Sequence, residues 1–240
     1  MTPRPPSAVS STRLLVSVRN VAEAELAATG PCLVDAKDPE NGALGSLRSE
    51  TIRTIVDTVA GRASTSAVAG EPASWSDLVE RVIEIAGTGV GMVKVAWPEA
   101  DDAPPSRVEG VLRALRCPVV AVFFAERRPD RAQVARAAQA GFSGAMIDTA
   151  RKDGRTLRDH LSTGDLEAFV RACRALDLMS GLAGSLRLAD IPDLASLGPT
   201  YLGFRGGLCG HADRRASLER GLIVEALSRL EASVHDAAVA

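Results

Sequence analysis

Among the 28 basic residues of this 240-residue chain, 25 are arginine and three are lysine: Lys37, Lys94 and Lys152. Arginine keeps its proton at any ordinary pH, whereas a lysine amine that loses its proton can attack a carbonyl and form a Schiff base. Arginine bias can follow from genome composition, but it marks each surviving lysine as a place where charge alone does not suffice. Two of the three lie close to an aspartate: Asp35 precedes Lys37 in "CLVDAK", and Asp148 precedes Lys152 in "GAMIDTARK". A Schiff base on the amine is an electron sink and the carboxylate a proton carrier, the parts needed to make or break a carbon–carbon bond next to a carbonyl. The amine must first lose its charge. Burial and a second cation both penalise the ammonium form, whereas an aspartate alone would stabilise it. Lys37 and Lys94 as neighbours would supply that penalty.

The elements that could bring these residues together are legible as an alternation. Short β-branched or apolar runs occur at 13–18, 32–37, 63–69, 91–97, 118–124, 144–150, 178–184 and 200–206. Amphipathic stretches such as "RSETIRTIVDTVAG" and "WSDLVERVIEIAGTG" separate them, several closing on glycine as a left-handed cap requires. Eight βα units without a dividing linker predict an α/β fold, a single TIM (β/α)8 barrel over residues 13–235, with a doubly wound sheet as the alternative. The proline-rich start, residues 1–12, reads as a loose tail.

Side chains alternate along a strand. In the second run Val34 and Ala36 therefore face the helices, and Leu33, Asp35 and Lys37 face inward. In the fourth, Val93, Val95 and Trp97 face outward, and Met92, Lys94 and Ala96 inward. In the sixth, Ile147 faces outward and Asp148 inward, with Lys152 just past the strand. Alternate strands of this barrel fill the same interior layers, and active sites form at the C-terminal mouth. The three lysines and two aspartates should converge there. Any one lysine could merely cap a strand or pair with a carboxylate; three together are harder to explain so.

The last two strands run into "SGLAGSL" and "GFRGGLCG". Glycine lets backbone amides approach an anion, and this fold often holds a phosphate after strands seven and eight. Gly184, Ser185, Gly206 and Gly207 are the candidates, with Arg205 as a helper; ordinary tight turns are the plainer explanation. The turn-rich "DPENGALG" after the second strand is placed to fold over the mouth.

With 30 acidic residues against 28 basic, the net charge of -2 provides no field for nucleic acid or a membrane surface. Four scattered cysteines and three histidines lack ligand spacing, so no metal site is expected and a reducing cytoplasm is the simplest setting. No run suggests a signal peptide or a membrane span. Assembly into a homo-oligomer is left open.

The segments "LLVSVRNVAEAELA", "VDAKDPENGALG", "VKVAW", "MIDTARKDG", "GLAGSL" and "YLGFRGGLC" resemble, in order, the (5-formylfuran-3-yl)methyl phosphate synthase family, from about residue 14 to the end of the last helix. The resemblance implies a TIM barrel that condenses two glyceraldehyde 3-phosphate molecules, without metal or organic cofactor, into the furan precursor of methanofuran, a one-carbon carrier. It implies Lys37 as the Schiff-base lysine, Asp35 beside it for proton transfer, and Lys94, Asp148 and Lys152 completing the catalytic group. Two triose phosphates need two phosphate subsites, the second involving Lys152 or Arg151. The first dozen residues have no counterpart. A class I aldolase acting on another sugar phosphate, or a non-catalytic sugar-phosphate-binding barrel, would use many of the same residues.

Overall fold

The computed structural model describes residues 12–98, 104–151 and 153–239. Eight parallel strands close into a barrel in chain order: β1 (Arg13–Val18), β2 (Leu33–Ala36), β3 (Ser64–Val68), β4 (Val93–Ala96), β5 (Val119–Phe124), β6 (Gly144–Asp148), β7 (Met179–Leu182) and β8 (Tyr201–Phe204), with β8 pairing back to β1. Each lies inside the run expected to hold it. The fold is a single TIM barrel.

The outer layer consists of α1 (Val21–Ala27), α2 (Ser49–Val59), α3 (Trp75–Ala86), α4 (Ser106–Ala114), α5 (Arg131–Gln139), α6 (Leu157–His160), α7 (Thr163–Ala175), α8 (Ile191–Ser196) and α9 (Arg220–Val239). Local chemistry sets their ends. Ser74 caps α3 by accepting from the Asp77 amide, and Ser162 and Asp165 form a capping box on α7. In α2 the left-handed cap falls on Ala60 (φ 49°), one residue before the glycine that the sequence offers for it.

Strand alternation divides the core in two. Val34, Ala36, Val93, Val95, Trp97 and Ile147 pack beneath helix residues such as Ile52, Leu78 and Val134. Inside the barrel, Leu15, Leu33, Val68, Met92, Val122 and Met146 form a second cluster. Gly181 and Gly203 make room for Met146: a Cβ on either would come within 2.8 and 2.9 Å of its side chain. Below this waist, a cavity of about 380 Å³ opens at the N-terminal end, against Leu33, Met92 and Tyr201.

Thr12 is buried and its hydroxyl donates to the Pro199 carbonyl at 2.8 Å, anchoring the chain at the start of β1. Residues 1–11, most of the expected tail, lie outside the described residues. Among those described, no helix is long and apolar enough to cross a membrane.

Candidate active site

The barrel register builds the site from its floor. Ser17 on β1 pairs with Asp35 on β2, and Asp35 with Ser66 on β3, so three inward polar side chains stand side by side. Ser17 Oγ donates to Asp35 Oδ2 at 3.0 Å and Ser66 Oγ to Oδ1 at 2.7 Å. Lys94 Nζ donates to Oδ2 at 2.8 Å. Asp35 is wholly buried, yet both oxygens are hydrogen-bonded, as a buried carboxylate requires. Burial pushes the Lys94 pKa below the ordinary lysine range; the Asp35 charge opposes this, and the Lys37 charge adds to it.

Lys37 directly follows β2, and its Nζ donates to Asp148 Oδ2 at 3.2 Å across the mouth. The Thr149 amide donates to Asp148 Oδ1 at 2.7 Å and fixes that carboxylate at the end of β6. Four of the five expected catalytic residues thus converge. Lys152 lies outside the described residues. The pairing crosses the expected one: Asp35 partners Lys94, and Asp148 partners Lys37. Side-chain alternation predicts which face a residue occupies but not the stagger between strands, and that stagger sets Lys94 opposite Val68, two places beyond Ser66.

Lys37, Lys94 and Asp148 line a cavity of about 800 Å³, at the upper end of ordinary ligand sites. Gly184, Ser185, Gly206 and Gly207 line it too. Gly184 has φ 114°, and a Cβ there would meet Thr149 Cγ2 at 2.7 Å, so a bare backbone is required where β7 approaches β6. Arg205 also borders the cavity, but its donors are engaged within the protein. They reach the Glu23 carboxylate and the carbonyls of Ser17, Arg214 and Ala216. The "DPENGALG" segment does fold over the mouth: Asp38 and Gly45 close it by a backbone bridge, Ala43 and Leu44 join the inner core, and Pro39, Glu40 and Gly42 face the cavity.

Several supporting residues escape motif reading. Ser17 and Ser66 carry a signal, since each is a polar residue at an inward position of a strand flanking Asp35. Glu126, just past β5, carries none. Its carboxylate accepts the Ala150 and Arg151 amides, both at 3.0 Å, and steadies the chain beyond Asp148. Burial pushes its pKa up, but those amides more than offset this and hold it below the usual range. Burial also lifts the Cys32 and Cys173 thiols to about 11 and about 12, which leaves them unreactive. No cluster of three or more His, Cys, Asp or Glu suited to a metal ion occurs among the described residues.

A closed βα barrel carrying two buried lysine–aspartate pairs at its C-terminal mouth, beside glycine turns, defines a TIM-barrel enzyme. Residues 14–227 match the 4-HFC-P synthase family. The (5-formylfuran-3-yl)methyl phosphate synthase of Methanopyrus kandleri is 34% identical over 230 residues, covering 90% of this chain and 97% of its own. A Methylorubrum extorquens protein provisionally given the same name is 49% identical over 223 residues, 92% of each chain. The chain belongs to the (5-formylfuran-3-yl)methyl phosphate synthase family. Among solved structures, phosphoribosyl anthranilate isomerase from Thermotoga maritima superposes with a TM-score of 0.65, covering 92% of this chain and 99% of its own; at 14% identity the two share a fold alone.

Proposed function

We propose that the barrel condenses two molecules of glyceraldehyde 3-phosphate into (5-formylfuran-3-yl)methyl phosphate through an imine on Lys37, and so supplies the furan of a methanofuran-type one-carbon carrier. The observation that carries this reading is the position of Lys37 Nζ, on the cavity wall with the Asp148 carboxylate 3.2 Å away and Lys94 lining the same cavity within reach of its charge. Asp148 can take the proton that must leave before the amine attacks. Lys94 holds its own proton loosely, because burial disfavours its charge, and is placed to protonate a developing alkoxide or departing water. Asp35, tied to Ser17 and Ser66, fixes Lys94 and takes part in proton transfer through it.

The balance is closed without an oxidant. Two C3H7O6P units minus one phosphoric acid and two waters leave C6H7O6P. The amine adds to one carbonyl and expels water as the imine forms. The enamine derived from that imine attacks the carbonyl of the second triose, and phosphoric acid is eliminated. Hydrolysis of the imine takes back the water lost at its formation and regenerates Lys37, and ring closure with aromatisation expels the two waters of the balance. Backbone amides at Gly184, Ser185, Gly206 and Gly207 take substrate phosphate in this reading, with Lys152 or Arg151 near the other, and Arg205 holds the β8 turn. We place the reaction in the cytoplasm, in keeping with four free cysteines.

Borohydride added with glyceraldehyde 3-phosphate should leave a permanent adduct on the Lys37 peptide, and untreated enzyme should generate the near-ultraviolet absorbance of a furan aldehyde. An adduct without a furan would overturn this reading in favour of an aldolase. A furan without an adduct would remove the imine.

A further inference from the structure

The loop after β8 carries two arginines in opposite situations. A guanidinium has five N–H donors. Arg205 has them engaged: Nε on the Arg214 carbonyl (2.8 Å), Nη1 on the Ser17 carbonyl (3.1 Å), Nη2 on the Ala216 carbonyl (2.9 Å), and both Nη atoms on Glu23. It ties the loop backbone to β1 and α1. Arg214 is half-buried and lines the same cavity as Lys37 and Asp148. Its Nη2 donates to the Gly42 carbonyl at 2.8 Å, reaching the β2 loop. Nε and Nη1 make no hydrogen bond among the described residues.

A guanidinium partly removed from water, with donors unfilled toward a cavity, is stabilised when an anion with several oxygens arrives. Burial lowers the pKa of Arg214, opposed by the charges of Asp148 and Glu40 and helped by those of Arg205 and Arg215. It reaches from the β8 loop toward β2, the opposite way around the rim from the turn at Gly184 and Ser185. The neighbouring Gly206 and Gly207 line the same cavity, and a Cβ on them would meet the Ala212 carbonyl at 3.0 Å and the Leu186 carbonyl at 2.6 Å, so their bareness serves the packing of the loop that carries Arg214.

We propose that Arg214 binds a phosphomonoester of the triose substrate on the β2–β8 side of the mouth, distinct from the glycine turn after β7, and so forms the second phosphate subsite in place of Lys152 or Arg151. The proposal rests on the two-triose reading above. The bound group takes the donors that Gly42 leaves unused, and Arg205 acts only as a positioning residue that fixes the Arg214 backbone.

The test is steady-state furan formation by wild type and Arg214→Gln, with inorganic phosphate as competitor. The variant should raise the half-saturating glyceraldehyde 3-phosphate concentration about tenfold or more while kcat falls less, and should weaken phosphate inhibition by a similar factor. Borohydride trapping of unphosphorylated glyceraldehyde on Lys37 should keep its concentration dependence, because only the phosphate contact is lost. Arg214→Met, which keeps the apolar stem, serves if the glutamine variant melts early. Unchanged half-saturation and phosphate inhibition in a folded variant would overturn the proposal, as would an equal loss with unphosphorylated glyceraldehyde. Should wild type make no furan from glyceraldehyde 3-phosphate, the functional reading fails by itself, and calorimetric titration of both proteins with inorganic phosphate still decides the role of Arg214.

Discussion

Lys94 and Asp35 form an ion pair of 2.8 Å in which the lysine side chain is 3% exposed and the aspartate not at all. Such a pair is held by mutual compensation: desolvation disfavours each charge, and the partner restores what water would have given. Two serines complete the arrangement on the carboxylate side.

Removing the carboxylate should therefore be costly. Asp35→Ala strands a buried amine and two hydroxyls, with an expected loss of about 3 to 5 kcal/mol in folding stability as well as turnover. Urea denaturation with an unchanged m-value measures it; a loss below about 1 kcal/mol would contradict the pairing.

The Lys94 amine also has a signature in pH. Its folded pKa lies below the ordinary 10.5, so between those two values the unfolded chain binds more protons than the folded one. Stability from this group must then rise with pH across that window and be smaller below it. Buried thiols such as Cys32 and Cys173 titrate with the opposite sign. The informative quantity is the difference between wild type and Lys94→Met, which should grow as pH rises toward 10.5. A difference that is flat or falling across alkaline pH would place the Lys94 charge in a solvated setting.

Lys37→Arg keeps a cation opposite Asp148 but cannot form an imine. Furan formation should fall to background, with the melting temperature within a few degrees of wild type because the buried Asp148 keeps a cationic partner. Near-normal product would remove Lys37 from the chemistry.

How far the sequence discloses such a site depends on which physical rule places each residue. Alternation with period two correctly set Asp35, Lys94 and Asp148 inward and Val34, Val95 and Ile147 outward, because a slip of one residue would have buried charge beneath the helices. All eight strands were legible as short apolar or β-branched runs between amphipathic stretches. The partnership of Lys37 with Asp148 was not, since it depends on strand stagger and on loop paths. Nor was the contrast between Arg205 and Arg214, two arginines on one loop whose roles differ only through their neighbours. The reach of Glu126 to the Ala150 and Arg151 amides and of Glu23 to Arg205 spans long sequence distances that no local spacing marks; the Asn20–Glu23 spacing announces only the helix start.

Glu23 and Arg205 join α1 to the β8 turn, with 6% and 10% of their side chains exposed. Glu23→Ala leaves the guanidinium without its carboxylate and should lower stability by about 3 kcal/mol or more. Limited proteolysis should then cut within 205–216 first. Resistance equal to wild type would show that the carbonyl contacts of Arg205 suffice.

Gly184→Ala places a methyl 2.7 Å from Thr149 Cγ2 at a φ of 114°. The strain should cost about 1 to 3 kcal/mol and displace the β7 turn, raising the half-saturating substrate concentration. Thermal melting and initial rates check both; an alanine variant with wild-type values of each would mean that the turn yields freely.

Met146 fills the notch left by Gly181 and Gly203, and among the described residues the chambers above and below it share no wall residue. The bore is therefore a blind alley. In the proposed reaction both trioses would arrive, and water, phosphate and the finished aldehyde depart, by the C-terminal mouth, which among the described residues is framed by the β2, β7 and β8 loops. On that reading traffic in the two directions must take turns, and released phosphate would compete with the incoming reactant for the threshold itself.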